Sequence, residues 1–328
     1  PGTDAPEGSL WWAFLGQNKR SVVAEPGSAT ETAILTAADV VFDEPAPSAG
    51  APVPAHDRQV VVAITPFGLH GPRAGWRGSD LVAWASSGLA YVTGFPDRPP
   101  VALAALNFAA NVTAMNAIGA AMVALYARRT TGRGQVVDLS MQQANAALLP
   151  EAGTGLVLDD GVHRARSGNR RAVSRPFGLY PCKDGFASIV IVQPAHWRRL
   201  AQWLFEITGM DAVTDPAFDD LAVRWEAAEF IDGLTEELTT TMTKQELFVE
   251  GQRRDIPITP VNTVADLGRD PHLEAAGFWK PGEHPVVGSY RSPGEPFRGG
   301  DGWWQWSRAP LLGEHTAYVT ARWGAAGT

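Results

Sequence analysis

The segment that decides the fold is FAANVTAMNAIGAAMVALYARRTTGRGQVVDLSM, residues Phe108–Met141. Its first part, about Phe108–Arg129, is rich in alanine and apolar nearly all round, which predicts a long helix buried in the core. Thr131–Gln135 supplies two glycines for a tight turn, and Val136–Met141 follows with the apolar pattern of a strand. This succession of helix, turn and strand favours an α/β fold.

The regions on the N-terminal side and immediately after this segment continue the alternation of strands and helices. We predict strands at Ser21–Ala24 and Val60–Thr65 and helices at Thr30–Ala38, Ser79–Leu89 and Gln142–Leu149. The stretch Glu44–Pro54 is rich in Pro, Ala and Gly, which predicts an irregular connection. These elements belong to a large α/β lobe.

The C-terminal half predicts a smaller α+β lobe after a polar linker, His163–Arg175. Phe177–Val192 has the pattern of a β-hairpin with its turn at Lys183–Gly185. Helices are predicted around Pro194–Phe205, Arg224–Thr239 and Thr243–Gln252, with a short one after Leu311–Thr316. The predicted domains are residues 1–172 (large lobe), 173–287 (small lobe with linkers) and 288–328 (return to the large lobe).

The composition is that of an ordinary soluble protein with room for two lobes: 328 residues, 45% hydrophobic and 19% charged. A net charge of −8 argues against nucleic-acid and anionic-membrane partners, which require clustered basic residues. Three asparagines interrupt the most apolar run, Val101–Leu125, so it fits a buried helix better than a membrane span. The single cysteine, Cys182, excludes an intrachain disulfide and favours a cytoplasmic location.

No metal ion and no covalently bound cofactor are expected. The sequence has no P-loop and no HExxH, CxxC or GxSxG motif. His272, His284 and His315 have no Cys or acidic partners at ligand spacing, so structural roles fit them better. Cys182, between two predicted strands, is likewise expected to be structural. The opening residues PGTDAPEGSLWW lack a basic region followed by an apolar core and do not predict a signal peptide.

Three segments stand out as motifs: LGQNKRSVV (Leu15–Val23), ITPFGLHGPRAGWRGSDL (Ile64–Leu81) and TGRGQVVDLSM (Thr131–Met141). Further motif segments lie at 180–189, 255–273, 284–297 and 309–316. Each is similar to a landmark of the class III CoA-transferases (the CaiB/BaiF family, in the formyl-CoA transferase and alpha-methylacyl-CoA racemase superfamily). They occur in the family's order, and the resemblance covers nearly the whole chain.

The resemblance implies a Rossmann-like large lobe built from both chain ends, a smaller α+β lobe, and two subunits threaded through one another as an interlocked dimer. It implies coenzyme A, an acyl-CoA and a carboxylic acid as substrates, and a homologous CoA-transferase chain as partner. Asn18, Lys19, Arg20 and Arg77 match family positions near CoA, where basic groups suit phosphates. The alternative is that these residues are only solvated surface groups.

The sequence departs from the family pattern in three places. It begins where the family's "PxGD" segment lies, so we expect the first βαβ unit to be absent. The connection after Ala38–Glu44 is compressed where relatives carry an "NFRPG" loop, which predicts a weaker grip on CoA. The family's nucleophilic aspartate is replaced by Ala110, or by Ala109 if the gap is placed differently. Because no Asp or Glu occurs between Arg98 and Val137, the catalytic residue stays unassigned.

Two neighbouring positions bear on the chemistry. Where the racemase branch of the family has a histidine, this chain has Ser79, so both bases for proton exchange next to the thioester are missing. Asp80 matches an acidic family position, but it stands at a predicted helix start, where a capping role explains it equally well.

Three functions remain open. The first is the nucleophile-lacking subunit of a heteromeric class III CoA-transferase, whose homologous partner chain supplies the aspartate. The second is a transferase or racemase homodimer that is catalytically active or carries an Asp-to-Ala substitution. The third is a non-catalytic CoA-ester-binding or structural subunit. The first is favoured because all three departures fall at the CoA site, and because loss of a covalent nucleophile can cost about a million-fold in rate.

Overall fold

The computed structural model describes residues 7–46, 49–103, 107–149, 165–170, 174–300, 302 and 304–323. The described chain is mixed α/β and falls into two compact units. The first unit comprises Pro1–Ala63, Ala117–Asp138 and Thr263–Thr328, and the second comprises Ile64–Asn116 and Leu139–Asn262. The domains predicted from the sequence, 1–172, 173–287 and 288–328, have other boundaries and stay a prediction. Residues 1–6 and, within the predicted linker, 163, 164 and 171–173 lie outside the described residues.

The elements alternate along the chain in the manner expected of a mixed α/β protein. The helices are α1 (Leu10–Leu15), α2 (Ala29–Ala37), α3 (Asp80–Ser86), α4 (Leu89–Val92), α5 (Phe108–Thr131), α6 (Met141–Ala146), α7 (Pro194–Thr208), α8 (Leu221–Glu226), α9 (Ala228–Thr240), α10 (Lys244–Arg253), α11 (Val264–Leu267), α12 (Pro271–Ala275) and α13 (Thr316–Trp323). The strands are β1 (Val40–Asp43), β2 (Val60–Thr65), β3 (Val136–Ser140), β4 (Phe177–Cys182), β5 (Gly185–Val190), β6 (Ile258–Pro260), β7 (Trp279–His284) and β8 (Gly288–Pro293).

Strand β2 is the centre of a three-stranded sheet with the order β1-β2-β3. It runs parallel to β1, with Val40 opposite Val60 and Asp43 opposite Ala63. Residues Val60–Ala63 are 0–3% exposed. A continuous apolar run is typical of a parallel strand that is covered on both faces. The strand predicted at Val60–Thr65 is therefore confirmed.

The strand predicted at Ser21–Ala24 is wrong. The segment joins none of the sheets in the described part of the chain. Its backbone and side chains bond instead to the segment leading into α13: the Val23 N–H donates to Thr316 Oγ1 (2.9 Å), and Ser21 Oγ accepts from the Gly313 N–H (2.9 Å). The two ends of the chain are thereby tied together within the first unit.

The two glycines of the TGRGQ turn are both required by the geometry. Gly132 ends α5 with a φ of +73°, and its N–H donates to the Arg128 carbonyl (2.9 Å). A Cβ atom on Gly134 would lie 1.9 Å from the Gln59 carbonyl oxygen, which no side chain can tolerate. The turn predicted at Thr131–Gln135 is confirmed, and it brings the chain directly into β3.

Helix α5 has the predicted extent, but the prediction that it is buried all round is wrong. One face consists of small residues that are 0–4% exposed: Ala109, Ala117, Ala121 and Ala124. The opposite face carries large apolar residues that are 60–75% exposed: Met115, Ile118, Met122 and Tyr126. The rest of the chain packs closely against the alanine face of α5, and the larger side chains of the opposite face project outward.

Among the described helices, α5 is the one that is long and apolar enough to cross a membrane by length and composition. A single such helix is weak evidence, because the core helix of a soluble protein passes the same test. Within its most apolar stretch, 28% of the residues are buried.

The second unit contains the predicted hairpin and the helices that cover it. Strands β4, β5 and β6 form an antiparallel sheet, and Cys182 pairs with Gly185 across the turn at Lys183–Asp184. Helices α7, α9 and α10 confirm the predicted helical regions. Their apolar faces and the sheet share one core, which includes Tyr180, Trp197 and Ile231.

A buried arginine ties loops to the core of the second unit. Arg224 is 0% exposed, and its guanidinium lies 5.0 Å from the Trp197 ring centroid. Nη1 donates to the carbonyls of Phe218 (2.5 Å) and Asp219 (3.3 Å). Burial lowers the pKa of Arg224.

Candidate active site

The candidate site begins at the carboxyl end of β2, where the loop 66–79 leads into α3. Thr65 Oγ1 accepts a 2.8 Å hydrogen bond from the Gly68 N–H, which turns the chain away from the strand. In open α/β sheets, ligands bind beyond the carboxyl ends of parallel strands. The loop 66–79 therefore stands where an α/β active site is expected.

Asp80 connects this loop to the first turn of α5. Its Oδ1 atom accepts a 2.8 Å hydrogen bond from the N–H of Ala110, the third residue of that helix. N–H groups in the first turn have no partner within their own helix, and a negative charge there is favourable. Asp80 stands in the first turn of α3, which is one of the two roles considered from the sequence. Its capping bond goes to α5, a helix that the sequence did not connect with Asp80.

Asn145 binds the same turn of α5 through a backbone carbonyl group of that turn. It is 0% exposed, and its Nδ2 donates to the carbonyls of Ala109 (3.1 Å) and Met141 (2.9 Å). The hydroxyl of Thr113 also donates to Ala109 O (2.7 Å). Bonds to Asp80 and Asn145 therefore fix the backbone at residues 109 and 110. The sequence did not single out Asn145, because its partner on α5 is 36 residues away.

The two positions proposed for the missing aspartate differ in accessibility. Ala109 is 0% exposed and packs in a cluster with Ala83, Trp84 and Leu89. Ala110 is partly exposed. A carboxylate at 109 would lose its hydration in an apolar cluster, whereas one at 110 would reach solvent and a substrate. Of the two positions, Ala110 is therefore the one from which a carboxylate could reach a substrate, and which of them corresponds to the family's nucleophile stays a prediction.

The three N-terminal residues predicted to contact CoA lie together in the first unit, and each already has a contact there. Asn18 Oδ1 accepts from the Ser307 N–H (2.6 Å). Lys19 Nζ donates to the Leu15 carbonyl, and the Arg20 guanidinium lies 4.6 Å from the ring centroid of Tyr318. All three residues are exposed. Their role toward CoA stays a prediction.

Arg77, the fourth predicted residue, is exposed in the loop 66–79 of the second unit. The same loop holds a group that the sequence reading missed. The Arg73 guanidinium lies 5.9 Å from the ring centroid of Phe67 and 5.5 Å from that of Trp76. The two rings meet edge to face, with centroids 6.2 Å apart. The available signal was a loop with two arginines and two large aromatic residues but no Asp or Glu.

Three other kinds of group were considered among the described residues: a metal site, the Cys182 thiol and the buried His284. They contain no group of three or more His, Cys, Asp or Glu side chains that could hold a metal ion. Burial raises the pKa of the Cys182 thiol, which reduces the fraction of thiolate, the reactive form. His284 is 3% exposed, and its Nδ1 accepts from the N–H groups of Val286 and Val287, which is a structural role.

Comparison with known proteins identifies the family of the chain. A sequence profile described as CoA-transferase family III matches residues 1–316. The chain belongs to CoA-transferase family III. This family III chain is 32% identical over 281 residues to the succinyl-CoA:(R)-benzylsuccinate CoA-transferase subunit BbsE of Thauera aromatica. That alignment covers 81% of this chain and 66% of BbsE, so the chain spans just under two thirds of that relative.

Two further relatives agree with this family III assignment. The formyl-CoA:oxalate CoA-transferase of Rhodopseudomonas palustris (strain BisA53) is 30% identical over 343 residues, with 94% of this chain and 79% of that protein covered. A solved structure of a CaiB/BaiF family protein from Brucella suis superposes with a TM-score of 0.79 at 25% identity. It covers 96% of this chain and 84% of the Brucella chain, which confirms the α/β fold of the family.

Proposed function

We propose that this chain is the nucleophile-lacking subunit of a heteromeric CoA-transferase that moves CoA between an acyl-CoA thioester and a carboxylic acid. The observation that carries the proposal is Ala110. Asp80 and Asn145 hold the first turn of α5 in place, yet Ala110, which is partly exposed on that turn, has no carboxylate. A helix turn that is held in place but lacks a reacting carboxylate fits a subunit whose partner performs the reaction.

The proposed chemistry requires a carboxylate that a methyl group cannot replace. The partner's aspartate attacks the carbonyl carbon of the donor thioester, the C–S bond breaks, and CoA leaves as a thiolate. The CoA thiolate then attacks the aspartyl carbonyl carbon of the mixed anhydride. This step forms a thioester between CoA and the aspartate and releases the donor acid as a carboxylate. The acceptor carboxylate then displaces CoA to form a second anhydride, and the thiolate attacks its acyl carbon to give the new thioester. The aspartate is regenerated, so atoms and charge balance.

Asp80 does not fit the role of a substitute nucleophile in this chain. Its Oδ1 is bonded to the Ala110 N–H, and its Oδ2 is buried without a hydrogen-bond partner among the described residues. A carboxylate must expose an oxygen to attack a thioester. Using Asp80 for this step would require the helix cap to break first, which favours a nucleophile from outside the chain.

A homologous partner chain is supported by two observations. BbsE, by its name, is one subunit of a CoA-transferase. On the chain itself, α5 presents the exposed apolar face formed by Met115, Ile118, Met122 and Tyr126. Exposed apolar patches of this kind mark interaction surfaces, and the interlocked arrangement expected for the family would cover it. We also propose that the protein is cytoplasmic, as the sequence predicts. Asn18, Lys19, Arg20 and Arg77 are proposed to contact CoA.

Native mass spectrometry of the protein purified from its own host tests the proposal. We expect a complex of this chain with a second, different chain that has an aspartate at the position of Ala110. Transfer of CoA from a panel of acyl-CoA thioesters to carboxylic acids is expected from the complex and not from the isolated chain. A homodimer with robust turnover would reject the proposal. If the homodimer is inactive but gives heat with CoA in calorimetry, a non-catalytic CoA-ester-binding role replaces it.

A further inference from the structure

We propose that a cavity between α7 and α10 binds an amphipathic carboxylate, with Lys183 holding the carboxylate and an apolar wall covering the tail. The cavity lies within the second unit and has a volume of about 560 Å³. Pockets for small molecules usually have about 300–1,000 Å³. None of its described lining residues belongs to the candidate active site, so the inference goes beyond the proposed function and does not rest on it.

The walls of the cavity come from two helices and the segments beside them. Gln245, Val249 and Arg253 line it from α10, and their spacing of four residues places them along one face of that helix. Ile207 lines it from the C-terminal part of α7, and Met242 from the turn before α10. The cavity therefore follows the length of α10.

The apolar part of the wall is open to solvent. Ile207 is 41% exposed and Val249 is 40% exposed, and Met242 beside them is partly buried. These side chains come from separate elements but line the same cavity. A ligand with an apolar tail would remove their surface from water, which is the main favourable contribution to binding of this kind.

The three carboxylates that line the cavity already have partners. Arg254 pairs with Glu206 (2.8 Å) and with Glu250 (2.9 Å). Glu246 accepts hydrogen bonds from the N–H (2.8 Å) and the hydroxyl (2.9 Å) of Thr243 in the capping box of α10. These bonds are the main reason why the pKa of Glu246 is lowered. The acidic groups are thus directed at the protein rather than at a ligand.

Lys183 is the cation that remains available. Its side chain is exposed, and its ammonium makes no hydrogen bond or ion pair with the residues that the structure describes. The Lys183 N–H donates to the Met242 carbonyl (2.9 Å), which fixes its backbone beside the apolar wall. Arg253, at the end of α10, instead lies 3.6 Å from Glu250. An unpaired ammonium next to an apolar surface fits a carboxylate with an apolar tail.

Isothermal titration calorimetry on the full chain tests this site with four probes: octanoate, octanol, octylamine and acetate. We expect octanoate to bind most tightly, because octanol lacks the charge, octylamine has the opposite charge and acetate lacks the tail. Lys183→Gln should weaken octanoate about fivefold, the modest loss expected for an exposed ion pair, and leave octanol unchanged. Lys183→Arg keeps the charge and should recover most of the loss.

A second variant tests the apolar wall, and two others are controls. Val249→Asp should weaken octanoate about tenfold or more, because it removes apolar surface and adds a charge that repels the carboxylate. Val261→Asp is its matched control, at a residue of the same unit that is 39% exposed and does not line the cavity. Arg269→Gln removes one exposed positive charge outside the cavity. Both controls should keep octanoate affinity within about twofold.

Three outcomes would reject the site. The first is that octanol or octylamine binds the wild type as tightly as octanoate does, a comparison that needs no variant. The second is that Lys183→Gln and Val249→Asp, with unchanged melting temperatures, bind octanoate as the wild type does, which would place the acid elsewhere on the chain. The third is that millimolar octanoate gives no heat with the wild type.

The outcome is independent of the proposed function. If octanoate binds through Lys183 and Val249 but no complex of the chain transfers CoA, the proposed function fails and the cavity site stands. If the complex transfers CoA and octanoate affinity does not depend on these two residues, only the cavity site fails.

Discussion

The Oδ1 atom of Asp80 lies 2.8 Å from the backbone nitrogen of Ala110 and accepts its hydrogen bond. The cap of α5 thus falls on one of the two residues where the family's nucleophile is expected. An acidic side chain at a helix N-terminus stabilises the helix through the free N–H groups and the helix dipole. Asp80 therefore fixes the backbone from which a catalytic side chain would project.

Asp80→Ala should lower the free energy of unfolding by about 1–2 kcal/mol, because the Ala110 N–H loses its acceptor in a partly buried site. Asp80→Asn keeps an acceptor and should cost less. Urea denaturation followed by circular dichroism measures both. Asp97→Ala, at an exposed acidic residue of the same unit, is the control and should change stability by less than about 0.5 kcal/mol. Equal stability of Asp80→Ala and Asp97→Ala would contradict the capping role.

Ala110→Asp and Ala109→Asp should differ sharply in stability. At the buried residue 109 a carboxylate would be desolvated, and we expect a loss of about 3 kcal/mol or more. At the partly exposed residue 110 the loss should stay below about 1 kcal/mol. Asp80 beside it should raise the pKa of the new carboxyl through like-charge repulsion. Similar losses in the two variants would show that the two positions have been assigned to the wrong environments.

The same two variants separate the functional alternatives. Thioester exchange with labelled CoA is measured on the isolated chains. A gain in Ala110→Asp but not in Ala109→Asp would support the homodimer that carries an Asp-to-Ala substitution. The heteromeric proposal expects no gain without the partner chain.

The exposed face of α5 should be needed for association with the partner. Ile118 and Met122 are 60% and 61% exposed, and acidic side chains there would be desolvated in an apolar interface. The double variant Ile118→Asp/Met122→Asp should abolish the complex in native mass spectrometry without lowering the melting temperature of the isolated chain. Val53→Asp, at a residue 89% exposed, is the control and should leave the complex intact. Persistence of the complex in the double variant would place the interface elsewhere.

Arg224→Ala should destabilise the second unit by about 3 kcal/mol or more. The substitution removes the donors to the Phe218 and Asp219 carbonyls and leaves a cavity beside Trp197. Thermal and urea denaturation measure the effect. Arg198→Ala, whose arginine is 68% exposed and pairs with Asp219, should cost less than about 1 kcal/mol. A small loss for Arg224→Ala would mean that the short 3-10 helix Pro216–Asp219 is held by other contacts.

Glu314 should contribute to the acid sensitivity of the first unit. Arg308 and the Leu311 N–H hold the pKa of Glu314 at about 2, below its ordinary value of 4.5. A lowered carboxyl pKa contributes stability that is present above the ordinary value and is lost as the pH falls toward the folded-state value. The melting temperature of the wild type should therefore fall more steeply between pH 4.5 and pH 2 than that of Glu314→Gln. Glu25→Gln, at an exposed residue, should follow the wild-type curve.

Much of the candidate site could not be predicted from the sequence, because its bonds join residues far apart in the chain. Asp80 and Ala110 are 30 residues apart, and Asn145 and Ala109 are 36 apart. The segment Ser21–Ala24 has a strand pattern but bonds to partners more than 290 residues away. Periodicity describes one segment at a time, so it gives no information on such partners.

The sequence by itself determined the elements whose causes are local. Apolar periodicity and glycine-containing turns predict these elements. They are the helix Phe108–Thr131, the turn Thr131–Gln135, the hairpin of β4 and β5, and the central strand β2. The order of its motifs also determined the family, to which residues 1–316 match.

Only the tertiary structure decided which face of α5 is buried, which of Ala109 and Ala110 is accessible, and which acidic residue caps the helix. These outcomes depend on what packs against a helix that is apolar nearly all round. Apolar residues occur on every face of α5, so composition alone does not show which face is buried. The alanine face is buried because small side chains permit the closest packing.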